Sequence, residues 1–157
     1  MVDLKKTLKD ELREARRNSF DAVCFTHADE DHISGSTDFF ELQHAEKYQR
    51  GDRVKMDEMW APAAMILEEG CDGEDRVLRQ EARYRLRQGA GIRVFSKPEL
   101  LRTWMSENGI DIHARKHLFV DAGRWFRASH SRPMDWKSSV IHHSLHAHDG
   151  DRLRGVI

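Results

Sequence analysis

The apolar positions of the chain fall into two spacings. Leu4, Leu8, Leu12 and Ala15 recur every three to four residues, with Lys5, Lys6, Lys9, Arg13, Arg16 and Arg17 spread over the remaining face, which predicts an amphipathic helix broken at Asn18-Ser19. Ala22-Val23-Cys24-Phe25 is a short unbroken apolar run with the length of a buried strand. Helical spacing returns over Thr37 to Tyr48, with Phe39, Phe40, Leu42 and Ala45 as the buried positions and His44 at the surface or behind a site. Met56 to Leu67 is mostly apolar but interrupted by Pro62, which predicts an edge strand or a strand running into a helix, with Trp60 and Met65 in the core.

Gly70 to Gly73 reads as a loop. Glu74 to Gln88 then reads as a helix with acidic residues in its first turn, arginines in its last, and Gly89 as its stop. Arg76, Arg79, Arg83 and Arg87 form one stripe along that helix, expected to be a solvated face rather than a row of phosphate contacts. Ile92 to Phe95 is a short strand. Ser96 and Glu99 have the spacing of a capping box for a helix burying Leu100, Leu101, Trp104 and Met105 and ending at Asn108-Gly109. Leu118 to Val120 reads as a further strand, Asp121 to Gly123 as a turn, and Pro133 as part of a loop. Ser139 to Ala147 and Arg152 to Ile157 read as a hairpin about Asp149-Gly150.

Between the second and third of these elements lies Thr26-His27-Ala28-Asp29-Glu30-Asp31-His32-Ile33-Ser34-Gly35, with two imidazoles and three carboxylates in six positions. A loop of this kind, emerging from the carboxyl end of a strand, lies where open α/β sheets place their sites. Imidazole suits zinc, iron or nickel, and carboxylates widen the choice towards manganese or magnesium. A bound ion of this kind supplies hydroxide near neutral pH, which makes hydrolysis the natural chemistry. The plain structural alternative is an acidic loop at a helix N-terminus, with His27 and His32 bonded to neighbouring carboxylates. The other histidines point less clearly to chemistry. His113 and His117 are expected at the surface, as are His142, His146 and His148, of which only the last two are close enough to share an ion.

Composition narrows the setting. The chain has 157 residues, a single domain's length, with 39% hydrophobic and 34% charged residues. No apolar segment approaches the roughly 18 residues needed to cross a bilayer, and the first residues form a charged helix, so a cytoplasmic protein without membrane contact is expected. Cys24 and Cys71 are far apart and lack CxxC partners, which predicts reduced thiols. The net charge of -1 hides an asymmetry. Residues 21–75 carry 4 basic and 15 acidic side chains, residues 76–157 carry 16 basic and 8 acidic. The acidic part can be neutralised by cations and the basic part can attract an anionic substrate, or the two are solvated surfaces that attract one another.

At Thr26 to Gly35 the sequence resembles the metallo-β-lactamase fold superfamily, whose signature is His-x-His-x-Asp-His after a strand and before a helix. Asp29 stands where the second histidine usually stands. This His-x-Asp-x-Asp-His form is similar to the branch containing the nuclease-like domain of bacterial competence DNA-uptake proteins. The resemblance implies an α/β, αββα-layered hydrolase binding one or two divalent ions, zinc first, with manganese or iron as alternatives. It implies His27 and Asp29 at the first metal site, and Asp31 and His32 at the second. Asp31 would also orient or deprotonate the attacking water. The substrate would be a small molecule or nucleic acid, a phosphodiester before a β-lactam, thioester or lactone, with substrate-binding residues unassigned.

Family members begin with two strands ahead of the first helix and end the site with a Gly-Asp and a later histidine. Neither feature has a counterpart here; His130 and Asp135 are weak substitutes for the missing ligand. The chain is therefore expected to be one partial domain, 1–157, and its open sheet edges would favour oligomers. Two rivals stand beside this expectation: a metal- or partner-binding remnant without activity, and a nucleic-acid-binding module built on the arginine helix.

Overall fold

The computed structural model describes residues 3–96, 98–120 and 140–141. Among these residues helices alternate with four strands, β1 (Ser19–Cys24), β2 (Lys55–Pro62), β3 (Ile92–Phe95) and β4 (Val140–Ile141). All pair in parallel, in the order β3-β2-β1-β4. This is the α/β alternation expected. β1 aligns Ser19 with Lys55 and Cys24 with Trp60, while Ala22 and Val23 align with Val140 and Ile141 on its other side. From β1 the chain adds β2 and then β3 outward in one direction, whereas β4 lies on the opposite side of β1. The strand order therefore reverses at β1.

The first helix, α1 (Leu4–Glu14), buries Leu8 and Leu12. Asp3 caps it by accepting the Lys6 amide at 3.1 Å. Its end lies before the Asn18-Ser19 break expected from sequence. Arg16 takes a left-handed conformation (φ 55°), the Arg16 amide donates to Arg13 O at 3.0 Å, and the Arg17 amide donates to Leu12 O at 2.8 Å. These two bonds close a Schellman turn whose pivot is normally glycine. Arg16 is exposed, so Arg16→Gly is expected to raise stability by about 0.5–1 kcal/mol through relief of the left-handed strain, read as a higher urea midpoint with unchanged slope.

The helix expected over Thr37 to Tyr48 does not form as one element. After the short turns α2 (Glu30–Ile33) and α3 (Ser36–Phe39), Phe40 becomes extended and bridges Val54, and only Glu46–Tyr48 turns again, as a 3-10 helix. The Glu41 amide donates to Val54 O and the Val54 amide to Phe39 O, at 2.9 and 2.8 Å, so this segment pairs alongside the strand β2 rather than coiling. Phe39, Phe40 and Leu42 are nonetheless buried, because a short apolar run serves an extended segment as well as a helix. Phe40 receives Phe20 and Phe25 edge-on, each with ring centres 6.3 Å away, locking the start and exit of β1 into the core.

Pro62 closes a central strand, not an edge. It is the last residue of β2 and the cap of α4 (Ala63–Leu67), so its missing amide costs no ladder bond. Met65 is buried, while Trp60 is half-buried, its indole N–H donating to Glu58 at 2.7 Å.

The long helix α5 (Gly73–Gln88) ends at Gly89, whose φ of 79° is the left-handed stop expected. Its arginine stripe is not a solvated face. Arg79 and Arg83 are buried and donate to Glu68 O and Ile66 O, covering the last carbonyls of α4. Arg83 and Arg87 lie over the Trp104 ring, at 4.9 and 5.9 Å. Arg76 and Arg87 are the exposed members of the stripe.

The helix α6 (Pro98–Glu107) buries Leu101 and Met105, but Leu100 is 58% exposed and Trp104 half-buried. It begins at Pro98, two residues past Ser96, which is itself left-handed (φ 63°); Ser96 and Glu99 therefore do not frame the helix start as a capping box would. Leu118 belongs to a 3-10 turn, and only Phe119 bridges Val94 of β3. Of the hairpin expected over 139–157, residues 140–141 form β4; the rest, with His130, Asp135, His142, His146, His148, Asp121 to Gly123 and Pro133, lies outside the described residues. Among the described residues no helix is long and apolar enough to cross a membrane.

Candidate metal centre

β1 places the loop. Phe20, Val23 and Phe25 are buried, and the Phe25 amide still bonds Trp60 O at 2.8 Å, so the chain is held to the sheet up to the residue before Thr26. The next ten residues leave the carboxyl end of β1, the strand at which the sheet order reverses. In open parallel sheets this crevice is where ligands bind.

Within the loop, the His27 and His32 rings lie together, centres 3.7 Å apart and tilted by 58°. Thr26 Oγ1 is 2.9 Å from His27 Nδ1, which fixes that ring and leaves Nε2 facing Asp29, whose Oδ2 is 3.9 Å away. His27 and Asp29 are solvent-accessible, at 42% and 77% side-chain exposure, so an ion has a path to them. The turn is fixed by the His32 and Ile33 amides, which donate to Asp29 O at 2.9 and 3.2 Å, and by the burial of Ile33. Asp31 lies in α2, between Glu30 and His32.

Thus His27 has the His32 ring on one side and the Asp29 carboxylate near its Nε2, and the donor types, two imidazole nitrogens with a carboxylate oxygen, suit zinc or iron. Among the described residues no three His, Cys, Asp or Glu side chains already stand in a ligating arrangement. His44 is not at this site. Half-buried, it donates its amide to the fully buried Glu81, and its Nδ1 lies 2.9 Å from the same carboxylate. His113 and His117 are exposed, as expected, and His117 Nε2 sits 3.1 Å from Gly89 O.

Two residues beside the loop carry no motif, and sequence spacing assigns them only to the first turn of α5. Glu74 accepts the Gly35 and Thr37 amides at 2.9 and 3.3 Å. Asp75 keeps one buried carboxylate oxygen without a hydrogen-bond partner among the described residues. Burial pushes the Asp75 carboxyl up; Glu68 and Asp29 add to the rise, while the Cys71 thiol and Arg79 oppose it. Both thiols are free, and burial raises each, Cys24 at the end of β1 and Cys71 beside Asp75, which leaves them poor nucleophiles.

Comparison with protein-family models, curated proteins and solved structures gives no match to this chain. The class rests on the chain itself: mixed helix and parallel sheet, with a histidine- and carboxylate-rich loop at the point where the sheet reverses.

Proposed function

We propose that this chain is a metal-dependent hydrolase of the metallo-β-lactamase-like kind, with His27, Asp29, Asp31 and His32 holding one or two divalent ions, zinc first, manganese or iron as alternatives. The observation that carries the reading is the exit of this loop from the carboxyl end of β1, at the reversal of strand order. The order strand, His/Asp loop and helical turn agrees with what the resemblance implies. Bound ions would supply Lewis acidity that makes water nucleophilic near neutral pH. Thr26 orients His27, Asp29 stands beside His27 Nε2, and Asp31 is the residue proposed to take the proton from the attacking water.

The preference for a phosphodiester now rests on the Asp29 form of the motif. The basic second half supports it less than its count suggests, because Arg79, Arg83 and Arg85 are internal. For the same reason a nucleic-acid-binding module on α5 is disfavoured. The test is hydrolysis of a bis-phosphodiester reporter by zinc- or manganese-loaded protein. Cleavage abolished by chelation and lowered roughly 100-fold or more by Asp31→Asn is expected. A metal-loaded protein that leaves the reporter intact yet retains DNA in a salt-dependent way would favour binding over hydrolysis.

A further inference from the structure

We infer that Glu74 is the positioning residue of the metal loop, an inference that rests on the reading of Thr26 to Gly35 as the metal-binding segment. The entry of this loop is fixed by β1, through the Phe25 amide on Trp60 O at 2.8 Å. Its exit has no such strand. It runs through Gly35, left-handed at φ 78°, into α3, which is only four residues long and whose capping position, being glycine, has no side chain to receive the first amides.

Glu74 does this from 39 residues away. Oε1 accepts the Gly35 amide at 2.9 Å and Oε2 the Thr37 amide at 3.3 Å, so one carboxylate grips the backbone on both sides of Ser36. Bonds from amides to an ionised carboxylate are among the stronger hydrogen bonds. The grip is rigid because Glu74 lies in the first turn of a 16-residue helix whose Leu78, Ala82 and Leu86 are completely buried. His32 lies three residues ahead of Gly35, with Ile33 buried between them. A shift of the exit therefore moves His32 relative to His27, which the sheet holds from the other side. In metal sites, such supporting bonds set ligand geometry, and their loss typically weakens metal affinity about 10–100-fold.

The test compares wild type, Glu74→Ala, Glu74→Gln and Asp72→Ala. Asp72 is exposed, precedes the same helix and makes no capping bond, so it controls for charge. Zinc affinity is measured by competition with a chelating dye, amide exchange at Gly35 and Thr37 by NMR, and the unfolding midpoint on metal-free protein. Expected are roughly 10–100-fold weaker zinc binding and faster Gly35 and Thr37 exchange in Glu74→Ala. Partial recovery is expected in Glu74→Gln, which keeps one carbonyl acceptor, and wild-type behaviour in Asp72→Ala. If the alanine variant does not fold, the glutamine variant and the wild-type protection of the two amides carry the comparison. Unchanged zinc affinity in Glu74→Ala, with faster exchange at both amides, would overturn the positioning role alone. Wild-type protein that takes up no zinc would remove the metal reading and this role together.

Discussion

Glu81→Ala is expected to cost about 3–5 kcal/mol of folding stability, because it leaves a buried guanidinium without its counter-charge. Glu81 and Arg85 are 0% and 1% exposed, and the Arg85 Nε donates to Glu81 at 2.5 Å. The remaining Arg85 nitrogens reach Asp57 O, Gly91 O and Met56 O at 3.2, 2.8 and 3.2 Å, tying α5 to β2 and to the start of β3. On its other side the Glu81 carboxylate receives the His44 amide and ring at 2.9 Å each, and so pins the irregular segment that replaces the expected helix. The alanine variant should show a lower urea midpoint with an unchanged slope. A loss below about 1 kcal/mol would mean that the pair is not a buried keystone of the fold.

The same group sets a pH dependence with a definite sign. Burial by itself would raise the Glu81 carboxyl, but the bonds from Arg85 and from the Gln43 and His44 backbone outweigh it and hold the folded value below the ordinary 4.5. A depressed carboxylate contributes stability that is present above the unfolded value and is lost as pH falls through the folded one. The stability gap between wild type and Glu81→Gln should therefore be full above about pH 5.5 and shrink on further acidification. A gap that widens as the pH is lowered would contradict this assignment.

What could be read in the sequence was what local chemistry decides. The alternation of helix and strand, the burial of Leu8, Leu12, Leu101 and Met105, the Gly89 stop and the strand leading into the His/Asp loop all follow from spacing and from glycine's conformational freedom. What could not be read was set by partners distant in sequence. Thr37 to Tyr48 carries a helical pattern, yet Val54 draws Phe40 into an extended bridge and Glu81 holds His44. Arg79 and Arg83 look like surface charge until the carbonyls of α4 come within reach of their guanidiniums. Leu100 fits the helical stripe of α6 but is not covered by any neighbouring element among the described residues. The site divides in the same way: its motif is contiguous and visible, whereas Glu74, which clasps it, lies 39 residues beyond Gly35 and carries no signal except a favourable place in the first turn of a helix.

The second large effect concerns the loop itself. Apparent zinc binding of about 10–16 kcal/mol shared over four ligands amounts to roughly 3 kcal/mol for each. Removing the His32 imidazole should then weaken binding by about 100-fold or more. The fold should survive this change, since Ile33, Phe25 and Glu74 hold the loop independently of the His32 ring. Metal content of the purified protein, measured per chain by mass spectrometry on wild type and His32→Ala after dialysis against a weak chelator, therefore decides whether Thr26 to Gly35 holds metal. One or two equivalents of zinc, manganese or iron in wild type, falling to near zero in a folded His32→Ala, is the predicted result. Wild-type protein without stoichiometric metal, or a variant that retains all of it, would mean that His32 is not a metal ligand of this loop.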